Sequence, residues 1–127
     1  MAQGNRNKLT GRWGEALAAE YLRGQGYRIL GMNYTCRFGE VDVIAENRRY
    51  VIFAEVKLRK SAAFAEAREF VTGAKQRRVQ TAATLWLQHN PSKKQPRFDV
   101  IEIYAPEGIQ TEHPRINHIE NAFEANF

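Results

Sequence analysis

The stretch Gly39-Glu40-Val41-Asp42-Val43-Ile44-Ala45, followed by Val51-Ile52-Phe53-Ala54-Glu55-Val56-Lys57, sets acids and a lysine into two runs that otherwise read as buried strands. An unpaired carboxylate is costly to bury, so charges placed there need partners, a metal or an edge position. The intervening Glu46-Asn47-Arg48-Arg49 is short and polar, as a hairpin turn should be, and the strands are expected over 38–45 and 50–58.

Side chains of a strand alternate between faces. Glu40, Asp42 and Ile44 therefore share one face of the first strand, and Val51, Phe53, Glu55 and Lys57 share one face of the second. A turn that pairs Ala45 with Tyr50 sets Asp42 opposite Phe53 and Glu40 opposite Glu55. Asp42 and Glu55 are then diagonal neighbours at about 7–8 Å, within reach of a shared ion. Two carboxylates alone repel, and one is driven toward protonation. A hard divalent cation such as magnesium resolves that conflict, since it binds one or two carboxylates and completes its shell with water and phosphate. Such a metal polarises a phosphodiester and acidifies an attacking water, while Lys57 could orient that water or stabilise charge on the phosphoryl group. The plainer alternative is a Glu55–Lys57 ion pair on a solvent-facing sheet surface, with Asp42 another exposed acid. Ile44 and Phe53 on the same face argue against a purely polar surface.

Outward from the hairpin, Trp13, Leu17, Ala18, Tyr21 and Leu22 recur at helical spacing from about Leu9 until Gly24-Gln25-Gly26 stops the pattern. Glu15 lies at the edge of that apolar arc, placed either to reach a metal as an extra acid or to remain exposed in a first helical turn. Tyr27–Tyr34 reads as a short strand. Ala62–Phe70 is helical or an ordered loop. Val79, Ala82, Ala83, Trp86 and Leu87 predict a second helix from Ala74 to about His89. Near its start Lys75 and Gln76 could reach phosphate or the attacking water, and Arg77 and Arg78 could meet backbone phosphates; the alternative is a solvated helix start. Residues 97–104 form another strand, and Thr111–Ile119 is a candidate for one more. The order of helix, three strands, helix and strand predicts an α/β fold with a mixed sheet.

The chain of 127 residues is expected to be one domain with residues 1–8 as a flexible tail. No run approaches the roughly 18 apolar residues of a membrane span. Met1–Thr10 is polar and basic without an apolar signal core, so the expected location is the cytoplasm. One cysteine, Cys36, excludes an internal disulfide and is given no chemical role. The net charge of +5 gathers at Arg48-Arg49, at Lys57, Arg59 and Lys60, at Lys75, Arg77 and Arg78, and at Lys93-Lys94. Such clusters either meet a polyanion such as nucleic acid or are solvated surface charge. His89, His113 and His118 lack metal-site spacing and read as incidental. Asp99, in Arg97-Phe98-Asp99, reads as a structural salt-bridge partner.

Gly11-x-x-Gly14-Glu15-x-x-Ala18-x-x-Tyr21-Leu22, Gly39-Glu40-Val41-Asp42, Phe53-x-Glu55-Val56-Lys57-x-Arg59, Lys75-Gln76 and Arg97-Phe98-Asp99 together closely resemble the YraN-like family of small bacterial proteins. That family is similar to the PD-(D/E)XK, or restriction-endonuclease-like, nucleases and especially to archaeal Holliday-junction resolvases. The resemblance covers roughly residues 9–104. It implies a restriction-endonuclease-like αβββαβ core, a mixed central sheet flanked by helices. It also implies Asp42 as metal-binding aspartate, Glu55 as second acid, Lys57 as catalytic lysine, Glu15 as first-helix acid and Gln76 as the polar residue after the core strands. Val41 stands where the nuclease motif names proline.

The expected function is a magnesium- or manganese-dependent endonuclease hydrolysing DNA, including branched or structured DNA. Asp42, Glu55, Lys57, Glu15 and Gln76 form its catalytic set, and Asp42, Glu55 and Glu15 hold the metal. Arg59, Lys60, Lys75, Arg77 and Arg78 contact nucleic acid. The alternatives are a non-catalytic nucleic-acid-binding module on the same scaffold and a protein-interaction subunit. Junction-cleaving enzymes often work as symmetric dimers, so a homodimer with Phe64 and Phe70 at its contact is a further expectation.

Overall fold

The computed structural model describes residues 2–61 and 72–124. Over these residues α1 (Ala2–Gly24), β1 (Arg28–Cys36), β2 (Gly39–Glu46), β3 (Tyr50–Arg59), α2 (Gly73–His89), β4 (Gln95–Tyr104) and β5 (Arg115–Phe123) follow in order, with a 3-10 turn at Gly108–Gln110 before β5. The segment expected as helix or loop over 62–70, with Phe64 and Phe70, lies outside the described residues. The helix starts at Ala2 rather than near Leu9, so the backbone of residues 2–8, expected as a tail, continues α1. No proline interrupts that stretch. At the other end Gly26, at φ +92°, turns the chain out of the helix, and the Tyr27 amide donates to the Leu22 carbonyl at 2.9 Å.

One sheet runs in the order β1-β2-β3-β4-β5. Neighbours are antiparallel except β3 and β4, which are parallel and joined through α2. This is the mixed α/β arrangement expected, compatible with a restriction-endonuclease-like core. The strand expected over Thr111–Ile119 starts later, at Arg115, because the 3-10 turn and the bend after it take up the preceding residues.

The hairpin register differs from the expected one by two residues: Ala45 pairs with Ile52, not Tyr50. Asn47 is the cause. Its side-chain oxygen accepts from the amides of Arg49 (3.0 Å) and Tyr50 (2.8 Å), while its own amide donates to the Tyr50 carbonyl at 3.0 Å. Asn47 and Tyr50 thus close the turn, and the ladder proper begins one pair later. A shift of two keeps every side chain on its face. Its effect is to carry Asp42 from the level of Phe53 to the level of Glu55.

Each face of the sheet buries one helix. Ala18 and Leu22 of α1 pack with Val43, Ala45, Ile52, Ala54, Ile101 and Ile103. On the other face Val79, Ala82 and Ala83 of α2 pack with Ile44, Val51, Phe53 and Phe98. Cover on both sides explains why the central strands read as nearly continuous apolar runs. A Cβ on Gly14 would lie 3.1 Å from Leu58 Cδ2, so glycine there lets α1 approach β3 closely, beside Glu15. Among the described residues no helix is long and apolar enough to cross a membrane.

Candidate metal centre

The β2–β3 ladder ends at Val43–Ala54. The next pair would be Asp42 with Glu55, but there the Asp42 carboxylate takes over as ladder acceptor, and its Oδ2 receives the Val56 amide at 2.8 Å. On the other flank, Met32–Val43 and Tyr34–Val41 pair, and between them Asn33 adopts a left-handed backbone at φ +52°. Asparagine tolerates that conformation better than most residues. Asp42 thus sits where the sheet opens, held by one backbone bond.

Glu55 faces it from β3. Lys57 Nζ lies 3.3 Å from Glu55 Oε1, and Lys75 Nζ forms an ion pair with the same oxygen. The second oxygen, Oε2, is buried without a hydrogen-bond partner. Lys75 is placed by the start of α2, where the Thr72 hydroxyl accepts from the Lys75 amide at 3.2 Å. Glu40, Val41, Asp42, Ala54, Glu55, Lys75 and Val79 line a recess of about 30 Å³, enough for one water or ion.

Burial pushes the Asp42 carboxyl up to about 6; the Val56 amide pulls it down, and Glu15, Glu55 and Glu40 push it further up. Burial works against the Lys75 ammonium, but its contact with Glu55 outweighs this and holds its pKa above the ordinary lysine range. Among the described residues Asp42 has acids around it and no ion pair, though the Lys75 charge reaches it, while Glu55 carries both lysines on one oxygen.

Asp42, Glu55, Lys57 and Lys75 therefore come together, and Glu40, which strand alternation sets on the same face as Asp42, lines the same recess. Glu15 acts on Asp42 through its charge from α1 and does not line the recess, and neither does Gln76, half-buried on α2. Among the expected phosphate contacts, Lys60, Arg77 and Arg78 are exposed. Arg59 is turned instead toward Glu102 of β4 at 3.5 Å, with its side chain 10% exposed. Sequence reasoning missed the Val56 amide and the Lys75–Glu55 pair. Thr72 three residues before Lys75, in the pattern of a helix N-cap, was the signal for the second.

The donor set suits a hard cation: an Asp42 carboxylate under repulsion and a buried, unpartnered Glu55 oxygen. Among the described residues no three His, Cys, Asp or Glu side chains gather into a metal-binding group. Magnesium sites use one or two carboxylates and leave other positions to water and substrate phosphate, so the fit to a cation rests on Asp42 and Glu55 alone.

A second polar cluster occupies the β4–β5 side. Arg97 donates to both oxygens of Asp99 (2.8 and 2.7 Å) and to the Tyr27 hydroxyl at 2.7 Å. Asp99 also meets His118 Nε2 at 2.7 Å and accepts the Asn121 amide at 3.0 Å, and the Tyr21 hydroxyl lies 3.0 Å from His118 Nδ1. The salt bridge expected of Asp99 is present. His118 is not incidental: in β5 it ties that strand to β4 and to α1, contacts invisible before the strands are paired.

The sequence profile of the uncharacterised protein family UPF0102 matches residues 14–103. A UPF0102 protein of Geotalea daltonii is 42% identical over 121 residues, covering 94% of this chain and 93% of the relative. One from Caldanaerobacter subterraneus subsp. tengcongensis is 42% identical over 118 residues (91% and 95%), and one from Geobacter sulfurreducens is 43% identical over 119 (93% and 91%). On a match that takes in Glu15, Asp42, Glu55, Lys57, Lys75 and Asp99, the chain belongs to the uncharacterised family UPF0102, a YraN-like family.

Proposed function

We propose that this chain is a magnesium- or manganese-dependent endonuclease that hydrolyses phosphodiesters of DNA, with branched or structured DNA as its substrate. The observation that carries the reading is the pairing of Asp42, its pKa raised to about 6 by burial and neighbouring acids, with a Glu55 oxygen buried without a partner. Both features are costs in the isolated protein that a bound cation relieves. Asp42 and Glu55 would hold the cation, with Glu15 as an outer acid, and the cation when bound supplies a polarised phosphoryl oxygen and an acidified water.

The chain's own cations do the remaining work. Lys57 and Lys75, both on Glu55 Oε1, would serve as donors for the non-bridging oxygens, where negative charge grows during displacement. The start of α2 supports an anionic partner. Its first turn has no acid and carries Lys75, followed by Arg77 and Arg78, so like charge stands at the positive end of the helix dipole.

The test is cleavage of linear, flapped and four-way-junction DNA with magnesium or manganese by wild type, Glu55→Ala and Lys57→Ala. Each substitution is expected to lower the rate by at least about 100-fold with folding intact; cleavage at the wild-type rate by either variant overturns the reading.

A second reading, a nucleic-acid-binding module without catalysis, is favoured by the two lysines already occupying Glu55 Oε1. It predicts DNA affinity that falls steeply with salt and no cleavage by wild type with either metal.

A further inference from the structure

The turn between β1 and β2 carries a feature that the hydrolytic site does not use. Cys36 pairs with Gly39, leaving Arg37 and Phe38 as a two-residue turn. Short hairpin turns favour glycine or asparagine at positive φ. Here neither residue has positive φ, and both are poor turn formers. Packing holds the turn instead: a Cβ on Gly39 would lie 3.1 Å from the Arg78 carbonyl oxygen, so glycine lets the turn rest on the backbone of α2.

Phe38 is 46% exposed and is the one exposed Phe, Tyr or Trp among the described residues. Turn chemistry does not explain it, and burial does not either. The Arg37 guanidinium carbon sits 5.3 Å from its ring centroid, a cation over the ring. Two residues further on, Glu40 lines the recess, and Asp42 follows at about 13 Å from Phe38 by strand rise, roughly four base steps of B-DNA. Arg78 is exposed beside the turn.

The geometry points to Arg37–Phe38 as a stacking platform for an unpaired nucleobase, set a few nucleotides from the phosphate that a cation on Asp42 and Glu55 would engage. This rests on the hydrolase reading and sharpens its substrate class: DNA with single-stranded bases next to the cleaved bond, as at a flap, gap or junction. An aromatic ring supplies sequence-tolerant stacking, and the arginine adds charge to the same surface. A fully paired duplex offers no base face to that ring.

The experiment measures binding in EDTA, where cleavage does not intervene, to single-stranded DNA carrying 2-aminopurine and to the same sequence as duplex. Wild type is expected to quench 2-aminopurine and to prefer the single strand. Phe38→Ala should lose roughly tenfold in single-strand affinity and lose the quench, with its duplex affinity, melting curve and salt slope unchanged. Phe38→Trp should retain both. Arg78→Ala should instead reduce the salt slope by about one on both substrates. A Phe38→Ala protein that binds and quenches like wild type overturns the platform and leaves the hydrolase reading standing. Equal loss on duplex, or an altered salt slope, also overturns it, because that is the mark of lost phosphate contacts. A wild type that binds neither form at low salt, in EDTA or with non-catalytic calcium in its place, overturns both readings.

Discussion

Replacing Asp42 by asparagine is expected to stabilise the protein in the absence of metal while abolishing the proposed cleavage. Asparagine keeps an oxygen to accept the Val56 amide and nearly the same volume; it removes only the charge. The carboxyl stands at about 6 against an ordinary 3.8, first because it is buried and then because Glu15, Glu55 and Glu40 surround it. A raised acid pKa means that the folded state holds the proton more tightly than the unfolded chain does. Below the unfolded value both states are protonated and no penalty exists. As pH climbs from about 4 to 6 the unfolded chain ionises first and stability is lost; above the folded value the loss is complete. The shift corresponds to about 3 kcal/mol, a melting-temperature change on the order of 10 °C for a chain of this size. Denaturant melts in EDTA should therefore show Asp42→Asn more stable than wild type at pH 8 and nearly equal to it at pH 4. Millimolar magnesium or manganese should narrow the gap by raising wild type alone. A variant no more stable than wild type at pH 8 in EDTA refutes the claim that burial and the neighbouring acids penalise the Asp42 charge.

Two further outcomes follow from packing. Asp99→Ala leaves Arg97, whose side chain is 9% exposed, without its main counter-charge, and should cost about 3–5 kcal/mol in urea melts at pH 7. Burial pushes the Asp99 carboxyl up, but His118, Arg97 and the Asn121 amide together hold it below the ordinary carboxylate range. Its stabilisation is therefore present above that range and lost as pH falls through the lowered value, so acid unfolding below about pH 4 should be markedly weaker in pH dependence for the variant. Gly39→Ala forces a Cβ against the Arg78 carbonyl oxygen, a backbone atom that cannot yield as a flexible side chain does, and should destabilise by about 1–3 kcal/mol in the same melts.

Alternation and periodicity made the layered fold readable, because every strand of the hairpin and the apolar stripe of α2 have a period that only one structure satisfies. The face shared by Asp42, Glu55 and Lys57 was readable for the same reason and survived a two-residue error in register. The register itself was not readable: it turns on an Asn47 side chain that replaces a backbone acceptor, and the sequence shows a polar turn without showing which amides that side chain will take. The Arg59–Glu102 contact was hidden because basic residues near a site look alike until β4 is placed beside β3. His118 was hidden for a related reason, since its partners Asp99 and Tyr21 lie 19 and 97 residues away.

The two aspartates separate structural from functional burial within one sheet. Both lie in apolar strands and both have a left-handed asparagine near them, Asn33 at φ +52° and Asn121 at φ +53°. The resemblance stops at their partners. Asp99 receives two bonds from Arg97, one from the Asn121 amide and a contact from His118, so its charge is matched from every side and its pKa falls. Asp42 receives one amide and faces acids, so its pKa rises. A sheet able to satisfy one buried carboxylate so fully has no architectural need to leave another in repulsion. Titratable groups of one kind driven apart by their surroundings recur at sites of chemistry, and that contrast favours the proposed role of Asp42 over a purely structural one. Structural economy thus explains Asp99, whereas the penalty on the Asp42 charge is what supports the proposed cation there, one that would relieve burial and the neighbouring acids together.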